Sequence, residues 1–173
     1  MTVMRSGLIL VVVLALIAVL AVGTSAALDA PSRTSTTETV IEAPRENVWR
    51  LLLDFDSYSD WNPYMPTVQG RAAVGQTLDI RLEPPGDDAR EIEATVFVFK
   101  PPRKLRWQSR LLAPGLRDLE YEVIVAPLGR NRAQVVQRAR YEGLFVIFAD
   151  SGSTKAGLES MAAALKRRAE AGT

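Results

Sequence analysis

Three carboxylates (Asp54, Asp56 and Asp60) and two phenols (Tyr58 and Tyr64) crowd into the stretch DFDSYSDWNPY, residues 54–64. Carboxylates, phenols and lysines are the acid–base groups this chain has to offer, because it contains no His and no Cys. A Ser-His-Asp relay, a thiolate nucleophile and an ordinary zinc site are therefore excluded. A metal ion would have to be a hard cation held by carboxylates and carbonyls. No calcium-loop or Walker-type glycine pattern is present, so no metal and no cofactor are expected. Three aspartates in a turn-rich segment more often cap helices and meet solvent than perform general acid–base work. No catalytic residue is assigned.

The same stretch also holds Phe55, Tyr58, Trp61 and Tyr64, an unusual density of rings for a segment that otherwise looks like loop. What could position them follows from the rest of the chain. With 47% hydrophobic and 24% charged residues, the composition is that of a globular protein. Arg5 is the only charged residue before Asp29, and beyond it acidic and basic residues balance. A mixed, neutral body offers no electrostatic footprint for nucleic acid. The Lys166–Arg168 cluster fits the end of a helix, where cations complement the dipole.

Residues 7–22, GLILVVVLALIAVLAV, form an uncharged apolar run preceded by Arg5 and followed by Asp29. It reads as a signal peptide or a membrane anchor over residues 1–28, with small residues at 24–27 available for cleavage. The single flanking Arg keeps the N-terminus inside, so the domain is expected outside the cytoplasm, exported or membrane-anchored. A polar tether is expected over residues 29–36, and one domain over residues 37–170.

Within that domain Thr36–Glu42 is β-branched and strand-like, and Pro44 suits a helix start. Val48, Leu51, Leu52 and Phe55 recur at helical spacing; Ser57 is placed to cap a second, very short helix that Asn62-Pro63 ends. A run of strands follows, with period-two alternation around Leu78–Leu82, Ile92–Val98, Leu105–Ser109, Leu119–Val125 and Ala133–Tyr141. Leu158, Met161, Ala162 and Leu165 then mark a closing helix that starts near Leu144 or near Ser153. The expected class is α+β: an antiparallel sheet with one wet face, its apolar face covered by the last helix.

The segments VIEAPRENVWRLLLDFDSYSDWNPY, KPPRKLRWQSR and GLESMAAALKRRAE resemble the opening, central turn-and-strand and closing helix of the START-like (SRPBCC) superfamily, including its polyketide cyclase/dehydrase-like branch. The resemblance implies a helix-grip fold, with a curved seven-stranded antiparallel sheet around the long C-terminal helix. It also implies a cavity between them for lipids, polyketides or other apolar molecules. Trp61 would then plug the open end of the sheet, with Tyr64 beside it. Trp107, Tyr121 and Tyr141 alternate in phase with aliphatic neighbours and should face the cavity, and Gln137 would be a buried polar handle. The expected partner is a hydrophobic small molecule or lipid. Two other readings stand beside it: a cyclase- or dehydratase-like enzyme using Tyr and carboxylates, and an interaction module whose cavity is filled by its own side chains.

Overall fold

Period-two alternation produces the sheet. In the computed structural model of the chain, which describes residues 31–110, 118–143, 146 and 151–172, seven strands pair antiparallel throughout. They are β1 (Ser32–Ile41), β2 (Thr67–Gly70), β3 (Thr77–Leu82), β4 (Arg90–Lys100), β5 (Lys104–Arg110), β6 (Asp118–Pro127) and β7 (Ala133–Glu142). Their spatial order is β1-β7-β6-β5-β4-β3-β2, so the first and last strands pair and β1 and β2 form the two edges. The inward positions are those the alternation nominates: Leu78, Ile80, Leu105, Trp107, Leu119, Tyr121, Val135, Gln137 and Tyr141 are all buried. The opposite face carries cross-strand ion pairs such as Lys104–Glu122–Arg138 and Arg106–Glu120.

A register shift between Val96 and Val98 interrupts the alternation of β4. The bulge turns Phe99 inward, where its ring meets Trp49 at 6.3 Å. Phe97 stays outside and is 49% exposed.

Two short helices follow β1. Helix α1 (Arg45–Leu53) starts from Pro44, whose carbonyl accepts from the Asn47 and Val48 amides at 3.0 and 3.2 Å, and it buries Val48, Trp49 and Leu52. A single 3-10 turn (Phe55–Ser57) leads into the one-turn α2 (Tyr58–Trp61). Helix α3 (Ser151–Ala171) lies along the concave face and buries Leu158, Met161 and Leu165, each at most 1% exposed. Of the two starts the sequence allows, Leu144 lies outside the described residues.

Three sequence expectations are corrected here. Residues 32–36 are not tether: they pair with Glu142–Arg138 as the first half of β1, because a Thr/Ser-rich segment is β-competent once it has an edge to pair with. Ser57 does not cap α2; its hydroxyl donates back to the Asp54 carbonyl at 3.0 Å. Strand β2 is a further element, four polar and small residues without enough alternation to show in sequence. The apolar run at residues 7–22 lies outside the described residues, and among the described ones no helix is long and apolar enough to cross a membrane.

Candidate functional site

The aromatic segment closes one end of the space between sheet and helix, but the plug is Tyr58. Tyr58 is 4% exposed and its hydroxyl donates to the Leu52 carbonyl at 2.7 Å, which ties α2 to α1. Phe55 and Trp61 stand edge-on to it at 5.4 and 4.9 Å. Trp61, expected as the buried plug, is half-buried and packs on the outside of Tyr58. A one-turn helix has room to bury one ring, and the residue at its start faces the core. After α2 the buried Asn62 side chain accepts from the amides of Tyr64 and Met65 at 3.1 and 3.0 Å, which turns the chain into the sheet.

Beneath this plug lies an apolar cavity of about 20 Å³. Trp107 and Tyr121, stacked at 5.0 Å, form its floor; Phe55, Tyr58 and Met65 close it from the helical side, and Met161 from α3. Small-molecule pockets run to roughly 300–1,000 Å³, whereas about 10–15 Å³ suffices for one water. The cavity therefore has room for a water molecule or so and is too small for a ligand as it stands. No carboxylate lines it among the described residues. Asp54, Asp56 and Asp60 are all exposed.

Two largely buried polar groups lie between the sheet and α3. In the first, the Tyr121 hydroxyl donates to Gln137 Oε1 at 2.9 Å and lies 3.9 Å from Met161 Sδ. Gln137 is 1% exposed, and its Nε2 has no hydrogen-bond partner. Thr37, its cross-strand partner on β1, likewise has a buried Oγ1 without a partner. Burial pushes the Tyr121 phenol well above its ordinary value, with Tyr58 and Tyr64 adding to the shift.

The second group gathers residues from four separate segments. Tyr64 is hydrogen-bonded to Thr154, and Thr154 Oγ1 reaches the Tyr141 hydroxyl at 3.3 Å. Arg90 donates to that same hydroxyl at 3.3 Å and to Asp87 at 3.2 Å, and Ser153 donates to Asp87 at 3.5 Å. Tyr64, Tyr141 and Thr154 are almost wholly buried. Burial raises the Tyr64 phenol well above its usual value; Tyr141 adds to this, while Arg90 and Thr154 oppose it. The Asp88 amide, followed by Arg90, holds the Asp87 carboxyl below the ordinary range. The Tyr64 ring lies so close over Gly157 of α3 that a Cβ there would collide with it.

Of the residues nominated from sequence, Trp107 and Tyr121 thus line the cavity and Gln137 is bonded to its wall. Tyr64 and Tyr141 belong to the second network, and Trp61 to neither. Sequence reasoning missed Arg90, Asp87 and Thr154. Their neighbours follow no shared motif, and Arg90 lies just before the alternation that begins at Ile92.

Solved structures share this architecture. Norcoclaurine synthase from Thalictrum flavum, in complex with dopamine and hydroxybenzaldehyde, aligns with a TM-score of 0.63 at 15% identity, covering 82% of this chain and 88% of that one. The Zhui aromatase/cyclase from Streptomyces sp. R1128 gives 0.62 at 17% identity, over 82% and 98% of the two chains. A START superfamily protein from Mycobacterium smegmatis gives 0.64 at 20% identity, over 81% and 99%. At such identities the likeness shows the fold alone. No curated protein matches the sequence. Residues 32–172, nearly the whole of the described domain, match the family described as polyketide cyclase / dehydrase and lipid transport, and with its helix-grip fold the chain belongs to that family.

Proposed function

We propose that the domain binds an apolar small molecule or lipid between its sheet and α3, with the cavity closed until a ligand enters. The observation that carries this is the wall itself: an apolar cavity with two phenols in its lining, Tyr58 bonded to a backbone carbonyl and Tyr121 bonded to a buried, incompletely bonded amide. Such a lining, apolar with few placed polar groups, is what small-molecule sites have in common. Entry needs a side-chain gate, and Met65, Met161 and half-buried Phe55 supply one, since thioethers repack at little cost. The family's description includes lipid transport, and one structural neighbour holds aromatic molecules. A cyclase- or dehydratase-like activity has less support, because no carboxylate lines the cavity among the described residues.

The volume of about 20 Å³ favours a second reading, in which the core is simply filled and the domain is an interaction module. Native mass spectrometry of the full chain purified from its own host separates the two. A retained apolar molecule supports ligand binding. An environment-sensitive dye provides the same test in vitro. Met161→Ala should enlarge the cavity and tighten dye binding several-fold, whereas Val68→Phe should fill it and abolish binding. If neither the wild type nor Met161→Ala binds, ligand binding is wrong and the filled core stands. Ala94 and Ala139 are poor sites for such a test: both are buried and neither lines the cavity, so a larger residue would only overpack the core.

We also propose that the domain works outside the cytoplasm, exported or anchored by its N-terminal segment. Support comes from the uncharged run at residues 7–22 with Arg5 on its N-terminal side. A C-terminal reporter active only in the cytoplasm should be silent; strong activity refutes the assignment.

A further inference from the structure

The proposed ligand-binding function leaves the chemistry of the ligand open, and Gln137 narrows it. Its carboxamide is 1% exposed, in the middle of β7, and the cross-strand partners are Thr37 on one side and Val123 on the other. The Tyr121 hydroxyl occupies Oε1 at 2.9 Å, and Nε2 has no partner. Turning the amide over exchanges the two atoms and still leaves one unmatched. The Thr37 hydroxyl beside it is buried and unmatched as well. An unpaired buried donor is a standing cost that an apolar residue of the same shape would avoid.

Tyr121 ties this pair to the cavity. Its ring lines the void, and its hydroxyl touches both Gln137 and Met161, which also lines it. Displacing the Met161 side chain would open the cavity toward the Tyr121 hydroxyl and the carboxamide bonded to it. No charged residue is among Gln137's cross-strand partners or beside it along β7 on the inward face, where Val135 and Ala139 stand. An ion placed against Gln137 would lose its hydration without gaining a counter-charge from the sheet, while Thr37 also borders an open groove with Lys155, Glu159 and Lys166 of α3.

We propose that Gln137 and Thr37 form the polar subsite of the cavity and select a ligand carrying an uncharged oxygen function, a carbonyl or hydroxyl, at its inner end. This rests on the ligand-binding function above and specifies which apolar molecules qualify. Tyr121 polarises the amide through Oε1, so its N–H becomes a better donor to that oxygen.

The test compares acetylnaphthalene with ethylnaphthalene, two probes of similar shape that differ in one carbonyl, titrated into the full chain and followed by its tryptophan fluorescence, to which Trp107 contributes from the cavity floor. The ketone should bind about fivefold more tightly, the value of one neutral hydrogen bond. Gln137→Met should bring the ratio to about one, and Thr37→Val should lower it. Thr37→Val also serves as the independent variant, being on an edge strand, should Gln137→Met fold poorly. If ethylnaphthalene binds and the ketone binds no better, the subsite is wrong while ligand binding stands. If neither probe binds, both fall. Equal ratios in wild type and Thr37→Val, with the ratio lost in Gln137→Met, would confine the subsite to Gln137 and overturn the part assigned to Thr37.

Discussion

Two polar groups are buried on the same face of one sheet, and they are built in opposite ways. At the end of β7, Tyr141, Thr154, Tyr64, Arg90, Asp87 and Ser153 bond one to the next and join β4, β7, α3 and the segment after α2, leaving Arg90 Nε without a partner. Midway along β7, the Tyr121–Gln137 pair is a single bond with an orphaned amide. A nearly complete network fixes the docking of α3 and leaves little for a ligand to add. An incomplete one contributes little to stability and waits for a partner. The difference separates structural polarity from recognition within a single core.

Alkaline pH should give the largest effect. Tyr58, Tyr64 and Tyr121 all have phenols raised by burial above the ordinary value of 10.0. Above that value the unfolded chain loses these protons and the folded one keeps them, so stability falls as pH rises. Each phenol contributes about 1.4 kcal/mol per pH unit. Equilibrium unfolding followed from about pH 9 to about pH 12 should show this steep loss setting in near pH 10, roughly a tenfold change per phenol per unit. Tyr64→Phe and Tyr121→Phe should each remove an equal share of the slope, although the two residues lie in different groups. A slope unchanged in either variant means that its phenol is not held buried.

At neutral pH the groups should diverge. Tyr141→Phe deprives Arg90 and Thr154 of a shared partner and should cost about 2–3 kcal/mol in urea unfolding. Gly157→Ala drives a methyl into the Tyr64 ring and should cost about 1–3 kcal/mol. The double variant Tyr121→Phe/Gln137→Met removes both members of the open pair and should stay within about 1 kcal/mol of the wild type, on either side. A loss as large as that of Tyr141→Phe would erase the distinction between the groups.

The sequence made the strand faces legible because alternation is a local signal. Every inward position from Leu78 to Ile92 and from Leu105 to Tyr141 that it marked is buried, and it failed where the β4 bulge changed phase and turned Phe99 inward. It misjudged which ring plugs the end, since Tyr58 and Trp61 lie three residues apart and their roles depend on how a single turn seats against α1. The Thr/Ser-rich start of β1 looked like linker, as its partner strand lies at the far end of the domain. For the same reason the Arg90–Thr154 network was invisible: long-range pairing brings its members together, and no spacing records that.

The pairing of β1 with β7 has a consequence for how the chain is made. Of the strands, residues 32–41 leave the ribosome first, yet their ladder partners, residues 133–142, are synthesised after every other strand. Joining the two closes a loop that spans the rest of the sheet, and such non-local contacts slow folding. Lys166 and Glu170 on the last turns of α3 then bind the Val40 carbonyl and the Glu42 amide at 2.6 and 2.9 Å, at the far end of that first strand. Nascent β1 thus stays an unpaired, aggregation-competent edge until translation is nearly complete, and early termination before residue 133 strands it without a partner.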